Sequence, residues 1–223
     1  MTVTPAALTY ASVVSIDSVR IALTIAALNG LEVMACNIQN AYLTAKCREK
    51  IWTTAGSEFG SESGKIMLVV RALYGLKSSG AAFRSLLAET LYDLGYTPSK
   101  ADPDVWMRPA IKANGFKYYE LVLCYVDDVL AISHDPMKTM NGVRRSFTLK
   151  GNKVEEPETY LGASLAKMAT ADGVECWTMS SEKYCKAAVH NVESTLNAHG
   201  RRLPSKCRAP LKLGYRPELD TTP

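Results

Sequence analysis

Residues 121–133 read LVLCYVDDVLAIS, placing two adjacent carboxylates, Asp127 and Asp128, inside an otherwise apolar run. An ionised carboxylate buried without a partner costs several kcal/mol, and two side by side repel each other. The pair therefore belongs either at an exposed turn or beside a bound cation. A strand–turn–strand hairpin with VDDV at its tip meets the first condition and leaves both flanking arms free to pack. A rigid tip carrying clustered carboxylates also suits a hard divalent ion such as Mg²⁺, which takes anionic oxygen ligands and keeps some of its water. On the dipeptide alone, a plain turn is the ordinary reading.

The rest of the chain supplies elements for such a hairpin to pack against. Ser15 or Asp17 caps an expected helix through SVRIALTIAALNG, with Val19, Ala22, Leu23 and Ala26 on one face and Gly30 at its end. LEVMACNI is strand-like, and IWTT and KIMLVVR are short extended pieces around a Gly/Ser/Glu-rich loop. In GAAFRSLLAETLYDLGY, the positions Phe83, Leu86, Leu87, Leu91 and Leu94 follow helical spacing until Gly95. DVWMRPAI and YYELVLCY read as strands and MKTMNGVRRSF as a helix. YLGASLAKM and VECWTMS form a further hairpin, and SEKYCKAAVHNVESTLNAHG is helical. Beyond Gly200, four prolines and little periodicity predict a tail or connector. The order predicts an α+β fold: an antiparallel sheet, including strands at 35–38, 121–125 and 129–132, with helices on one face and the helix at 81–94 packed on its back.

The chain has 223 residues, 47% of them hydrophobic, enough for a sizeable core in residues 1–180 with a smaller C-terminal part in 181–223. The net charge is +4. From 183 to 216 there are eight basic residues, beginning with Lys183 and Lys186, against the single acid Glu193. That bias suits a polyanionic partner, although a solvated surface is the simpler reading. The six cysteines form no C-x-x-C pair and have no His at ligand spacing, so zinc and a disulfide framework are not expected and a reducing, cytoplasmic setting is. No secretory signal and no membrane span are expected.

Five short segments, in order, carry a family resemblance. Tyr125-Val126-Asp127-Asp128 resembles the Y-x-D-D box of reverse transcriptases. Residues 71–77, RALYGLK, resemble the L-Y-G-L-K box of copia-type long-terminal-repeat retrotransposons. Residues 37–43, NIQNAYL, are similar to their D-[VI]-[KQ]-N-A-[FY]-L box, 100–104 to their K-[AS]-D segment, and Tyr160-Leu161-Gly162 to their [FY]-L-G turn. The resemblance covers about residues 8 to 170. It implies a polymerase right hand, with a palm, partial fingers and a thumb remnant in the C-terminal part.

It also implies roles. Asp127 and Asp128 would be ligands for Mg²⁺ or Mn²⁺, completed by the residue at position 37. Tyr42 would lie under the nucleotide sugar as a gate against a 2′-hydroxyl, and Asn40 and Ala41 would lend backbone amides to the triphosphate. Tyr74 and Gly75 would pack by the incoming base and template, Lys77 would lie near the template strand, and Tyr160, Leu161 and Gly162 would grip the primer end. Taken singly, Tyr42, Leu43 and Tyr74 read equally as core packing, and Lys77 as a solvated lysine. The partners implied are an RNA or DNA template with a DNA primer, deoxynucleoside triphosphates, and the integrase and ribonuclease H portions of a polyprotein.

Two departures qualify this. Position 37 holds Asn where the family has Asp, so the third anionic ligand is missing. At 1.36 kcal/mol per tenfold, losing it implies a rate lower by about a thousandfold or more. Glu32 is the nearest acid in sequence, but five residues back along a strand it faces the other way. The family's basic finger strands are also expected ahead of TYASVV, whereas Met1 stands only a few residues before it. The readings are thus an RNA-directed DNA polymerase domain, truncated and impaired, or a non-catalytic nucleic-acid-binding remnant of one. A palm-fold nucleotide cyclase is a distant third, and the L-Y-G-L-K box argues against it.

Overall fold

The computed structural model describes residues 9–203, so most of the expected proline-rich tail, 204–223, lies outside the described residues. The chain divides into two compact units, Met1–Ser180 and Ser181–Pro223.

The first unit is built on a five-stranded sheet in the order β1-β7-β6-β5-β4. Its strands are β1 (Glu32–Asn37), β4 (Thr97–Pro98), β5 (Val105–Ile111), β6 (Lys117–Tyr125) and β7 (Asp128–Ser133), and every pairing is antiparallel. The hairpin β6–β7 lies inside this sheet, with β1 along the free side of β7. Pro109 is accommodated in β5 because β4 pairs only with Trp106 and Met107, so the missing N–H falls where no ladder bond is required.

Helices α3 (Ser79–Asp93) and α4 (Pro136–Ser146) cover one face. Phe83, Leu87 and Leu91 of α3 and Met140 and Val143 of α4 cluster with Cys36, Ile38, Val122, Cys124, Val129 and Ala131 of the sheet. The expected apolar stripe of α3 is thus the buried one, with Leu86 and Leu94 at its margins.

The expectation of helices on one face only is corrected by α1 (Ile16–Leu28), which covers the opposite face. Val19, Ala22, Leu23 and Ala26 of α1 pack with Val33, Leu121, Leu123, Leu130 and Ile132, the alternate residues of the same strands. Trp177 and Met179 of β10 (Glu175–Ser180) join this side, from a sheet ordered β10-β9-β8 with β8 (Thr159–Tyr160) and β9 (Ala163–Ala169). The physical reason is the continuous apolar run: Leu121 to Cys124 and Val129 to Ile132 leave no polar face for water, so both faces must be covered.

Helix α1 starts where its cap is strongest, the Ser15 hydroxyl accepting from the Ser18 amide at 3.1 Å. The remaining pieces are the one-turn helix α2 (Ala41–Thr44) and the two-stranded pair β2 (Trp52–Thr54) and β3 (Ile66–Leu68). The second unit, taken by itself, contains α5 (Glu182–Ala198), a largely exposed helix with a Lys186–Glu182 pair at 2.5 Å. Among the described residues, no helix is long and apolar enough to cross a membrane.

Candidate active site

The hairpin tip is tighter than the sequence suggests. Tyr125 and Asp128 pair directly, so the turn is Val126-Asp127 and Asp128 is already the first residue of β7. Val126 has φ +54°, a conformation strained for a β-branched residue. Beside the tip, β1 ends with Asn37 opposite Asp128. One residue on, the Ile38 amide donates to the Asp127 carbonyl at 2.8 Å, tying β1 to the turn itself.

The three residues expected to share a site are therefore together. The Asn37 carboxamide Nδ2 donates to Asp127 Oδ2 at 3.1 Å and to Asp128 Oδ1 at 2.8 Å. Glu32 sits at the far end of β1, opposite Ser133, and has no part in the cluster.

This arrangement does not suit the divalent ions that the resemblance implies. A cation between the carboxylates would meet the amide hydrogens, and turning the amide to offer its oxygen would lose both hydrogen bonds. Among the described residues, no group of three or more His, Cys, Asp or Glu is placed to hold a metal. As it stands, the cluster is a pair of carboxylates bridged by one uncharged donor.

Around the tip, the other expected residues take distinct positions. Asn40, at φ +52°, precedes α2, in which Ala41 is buried and Tyr42 half-buried. The Tyr42 ring lies 4.7 Å from that of Tyr74 and 6.2 Å from that of Phe83, forming a short aromatic series from surface to core. Tyr74, Gly75 and Lys77 are exposed on the loop before α3, with Gly75 at φ +95°.

Leu161 (φ +52°) and Gly162 (φ +72°) form the tight turn between β8 and β9. Tyr160 differs from its neighbours: its side chain is in the core, and its hydroxyl donates to the Leu123 carbonyl at 3.1 Å. Burial pushes its phenol well above the ordinary range. Of the three residues of this segment, only Leu161 and Gly162 reach the surface. An open groove of about 830 Å³ runs between this turn and the tip, bordered by Asn37, Asp128, Lys153, Glu155 and Tyr160.

The motif segment 100–104 contributes through two acids whose partners the sequence does not reveal. Asp104 is buried and accepts from Arg84 Nε at 2.9 Å and from the Ser12 hydroxyl. Asp102 accepts from the Ser15 amide at 3.0 Å and the Ser18 hydroxyl at 2.6 Å. Partial burial acts to raise the Asp102 carboxyl, but these hydrogen bonds outweigh it and hold the group below its ordinary range. The segment 100–104 thus clamps the start of α1 and the chain ahead of it. Arg84 and Asp104 also line a cavity of about 130 Å³ behind Tyr42 and Val126.

Gly80 permits the close approach of the chain at Ala11 to α3, since a Cβ there would come within 3.2 Å of Ala11 Cβ. Among the non-glycine residues with positive φ, Asn40, Val126 and Leu161 each fall in a motif segment. Strain of this kind gathers at functional sites.

A mixed fold with an antiparallel central sheet, and an Asp-Asp turn held against the neighbouring strand, define the class of domain to which comparison points. The profile of the reverse transcriptase (RNA-dependent DNA polymerase) family matches residues 6–206, and the chain belongs to that family. It is 25% identical over 180 residues to the retrovirus-related Pol polyprotein from transposon TNT 1-94 of Nicotiana tabacum, covering 78% of this chain and 13% of that protein. It is 24% identical over 167 residues to the retrovirus-related Pol polyprotein from transposon RE1 of Arabidopsis thaliana, covering 73% of this chain and 11% of that protein. The chain therefore corresponds to only a small part of these polyproteins.

Proposed function

We propose that residues 1–180 are the palm, with part of the fingers, of a copia-type RNA-directed DNA polymerase, and that 181–223 is a C-terminal helix and basic connector. Its ligands are an RNA or DNA template with a DNA primer and deoxynucleoside triphosphates, and its working context is a polyprotein with integrase and ribonuclease H portions in the cytoplasm. The antiparallel sheet and the juxtaposition of position 37 with the Asp-Asp turn support this reading. In the family the chemistry is supplied by Mg²⁺ or Mn²⁺ on three carboxylates. Here the observation that carries the conclusion is the Asn37 amide, which directs hydrogens at both aspartates. The chain as written therefore performs little or no DNA synthesis, while its nucleic-acid surface is retained. The same observation favours the second reading, a binding remnant.

The test pairs primer–template binding with primer extension, for the chain itself and for Asn37→Asp. The chain should bind primer–template and extend it at least about a thousandfold more slowly than an intact three-carboxylate site would. Asn37→Asp should bind Mn²⁺ more tightly and recover extension. Equal extension by both proteins would remove the assigned impairment. Failure of both to bind primer–template would remove the polymerase reading.

A further inference from the structure

We infer that the Asn37 carboxamide stands in for a cation between Asp127 and Asp128, so that the hairpin tip is locked in place without metal. The lock is a property of the folded chain and holds whether or not the chain handles nucleic acid.

A carboxamide nitrogen carries two hydrogens, and here each goes to a different carboxylate, at 3.1 and 2.8 Å. Hydrogen bonds to ionised acceptors are about twice as strong as neutral ones. Register allows no retreat, because Asn37 lies directly opposite Asp128, which brings facing side chains within about 5 Å. An anion at position 37 would therefore be pressed against two others, and only a bound cation or an added proton could relieve it. With Asn, the same space is filled by an attractive contact.

A second observation points the same way. The tip holds Val126 at φ +54°, a conformation that persists only where its surroundings enforce it. The Asn37 amide on the Asp127 side chain and the Ile38 amide on the Asp127 carbonyl grip the residue beside Val126 from both its side chain and its backbone. Position 37 thus does more than lack a charge, since it provides two donors that the family's Asp does not have.

The experiment is thermal unfolding of the whole chain in chelator and in millimolar Mn²⁺, for the chain itself, Asn37→Ala and Asn37→Asp. The chain itself should melt within about 1 °C in the two conditions. Asn37→Ala, which removes the donors without adding charge, should melt lower by roughly 4–8 °C in both. Asn37→Asp should be the least stable in chelator and rise by several degrees with Mn²⁺. The lock is overturned if Asn37→Ala melts with the unaltered chain in chelator. It is equally overturned if Mn²⁺ raises the unaltered chain as much as Asn37→Asp, since the amide would then be presenting its oxygen to the ion. Should Asn37→Asp not fold without metal, the Asn37→Ala comparison alone decides. No outcome depends on primer–template binding, so failure of the lock and failure of the polymerase reading are separate results.

Discussion

At the scale of single residues, the site is defined by what each side chain donates or accepts. Asn37 differs from Asp by one substitution of NH₂ for O⁻, yet it turns a three-anion cluster into two carboxylates joined by a donor. Val126 adds backbone strain at the same tip. A β-branched residue at φ +54° costs about 1–3 kcal/mol, more than the entropy penalty of glycine. Val126→Gly should accordingly raise stability by about 1 kcal/mol in urea unfolding. A loss instead would mean that the Val126 side chain contributes more by lining the cavity behind Tyr42 than it costs in strain.

At the scale of elements, the sheet carries a second acid in an apolar strand whose role is structural. Glu120 of β6 is buried and pairs with Arg108 of β5, Nη2 at 2.5 Å and Nε at 2.7 Å. It also accepts from the Ser133 hydroxyl of β7 at 2.7 Å, and from Tyr96, whose hydroxyl lies 2.7 Å from that of Thr139 on α4. The network thus stitches three strands to α4 at the end of the sheet away from the hairpin tip. Burial is the chief reason the Tyr96 phenol is pushed up to about 12. Glu120→Ala leaves the Arg108 charge unpaired and should cost about 3–5 kcal/mol by chemical unfolding. A cost below about 1 kcal/mol would place the pair with ordinary surface bridges.

At the scale of the whole molecule, the relevant quantities are the net charge of +4 and its concentration toward the C-terminus. Each phosphate neutralised contributes about 0.7–0.9 to the slope of log affinity against log salt. If Lys183, Lys186, Arg201 and Arg202 each contact a phosphate of a nucleic acid, changing all four to Gln should flatten that slope by about 3–4, read by fluorescence anisotropy on primer–template across a salt series. An unchanged slope would assign the stretch to solvated surface, as its exposure in the second unit allows. The remainder of the stretch, from 204 on, lies outside the described residues.

Local pattern determined a good deal by itself. The 3.6-residue apolar spacing located α3 and its buried stripe, Ser15 or Asp17 marked the start of α1, and a carboxylate pair between apolar arms pointed to a hairpin. The motif segments also identified Asn37 as the departure from family pattern. Tertiary structure decided what periodicity cannot carry. A run such as Leu121 to Cys124, apolar at every position, says that both faces are covered but not by what, so only packing placed α1 opposite α3 and α4. Tyr160 shares a motif with an exposed turn, yet its ring is drawn into the core because β8 lies over the α1 side of the sheet. The aim of the Asn37 hydrogens depends on partners 90 and 91 positions away, brought into register only because β1 pairs with β7. Spacing along a chain encodes which face a side chain occupies, whereas the atom it meets there is set by strand order.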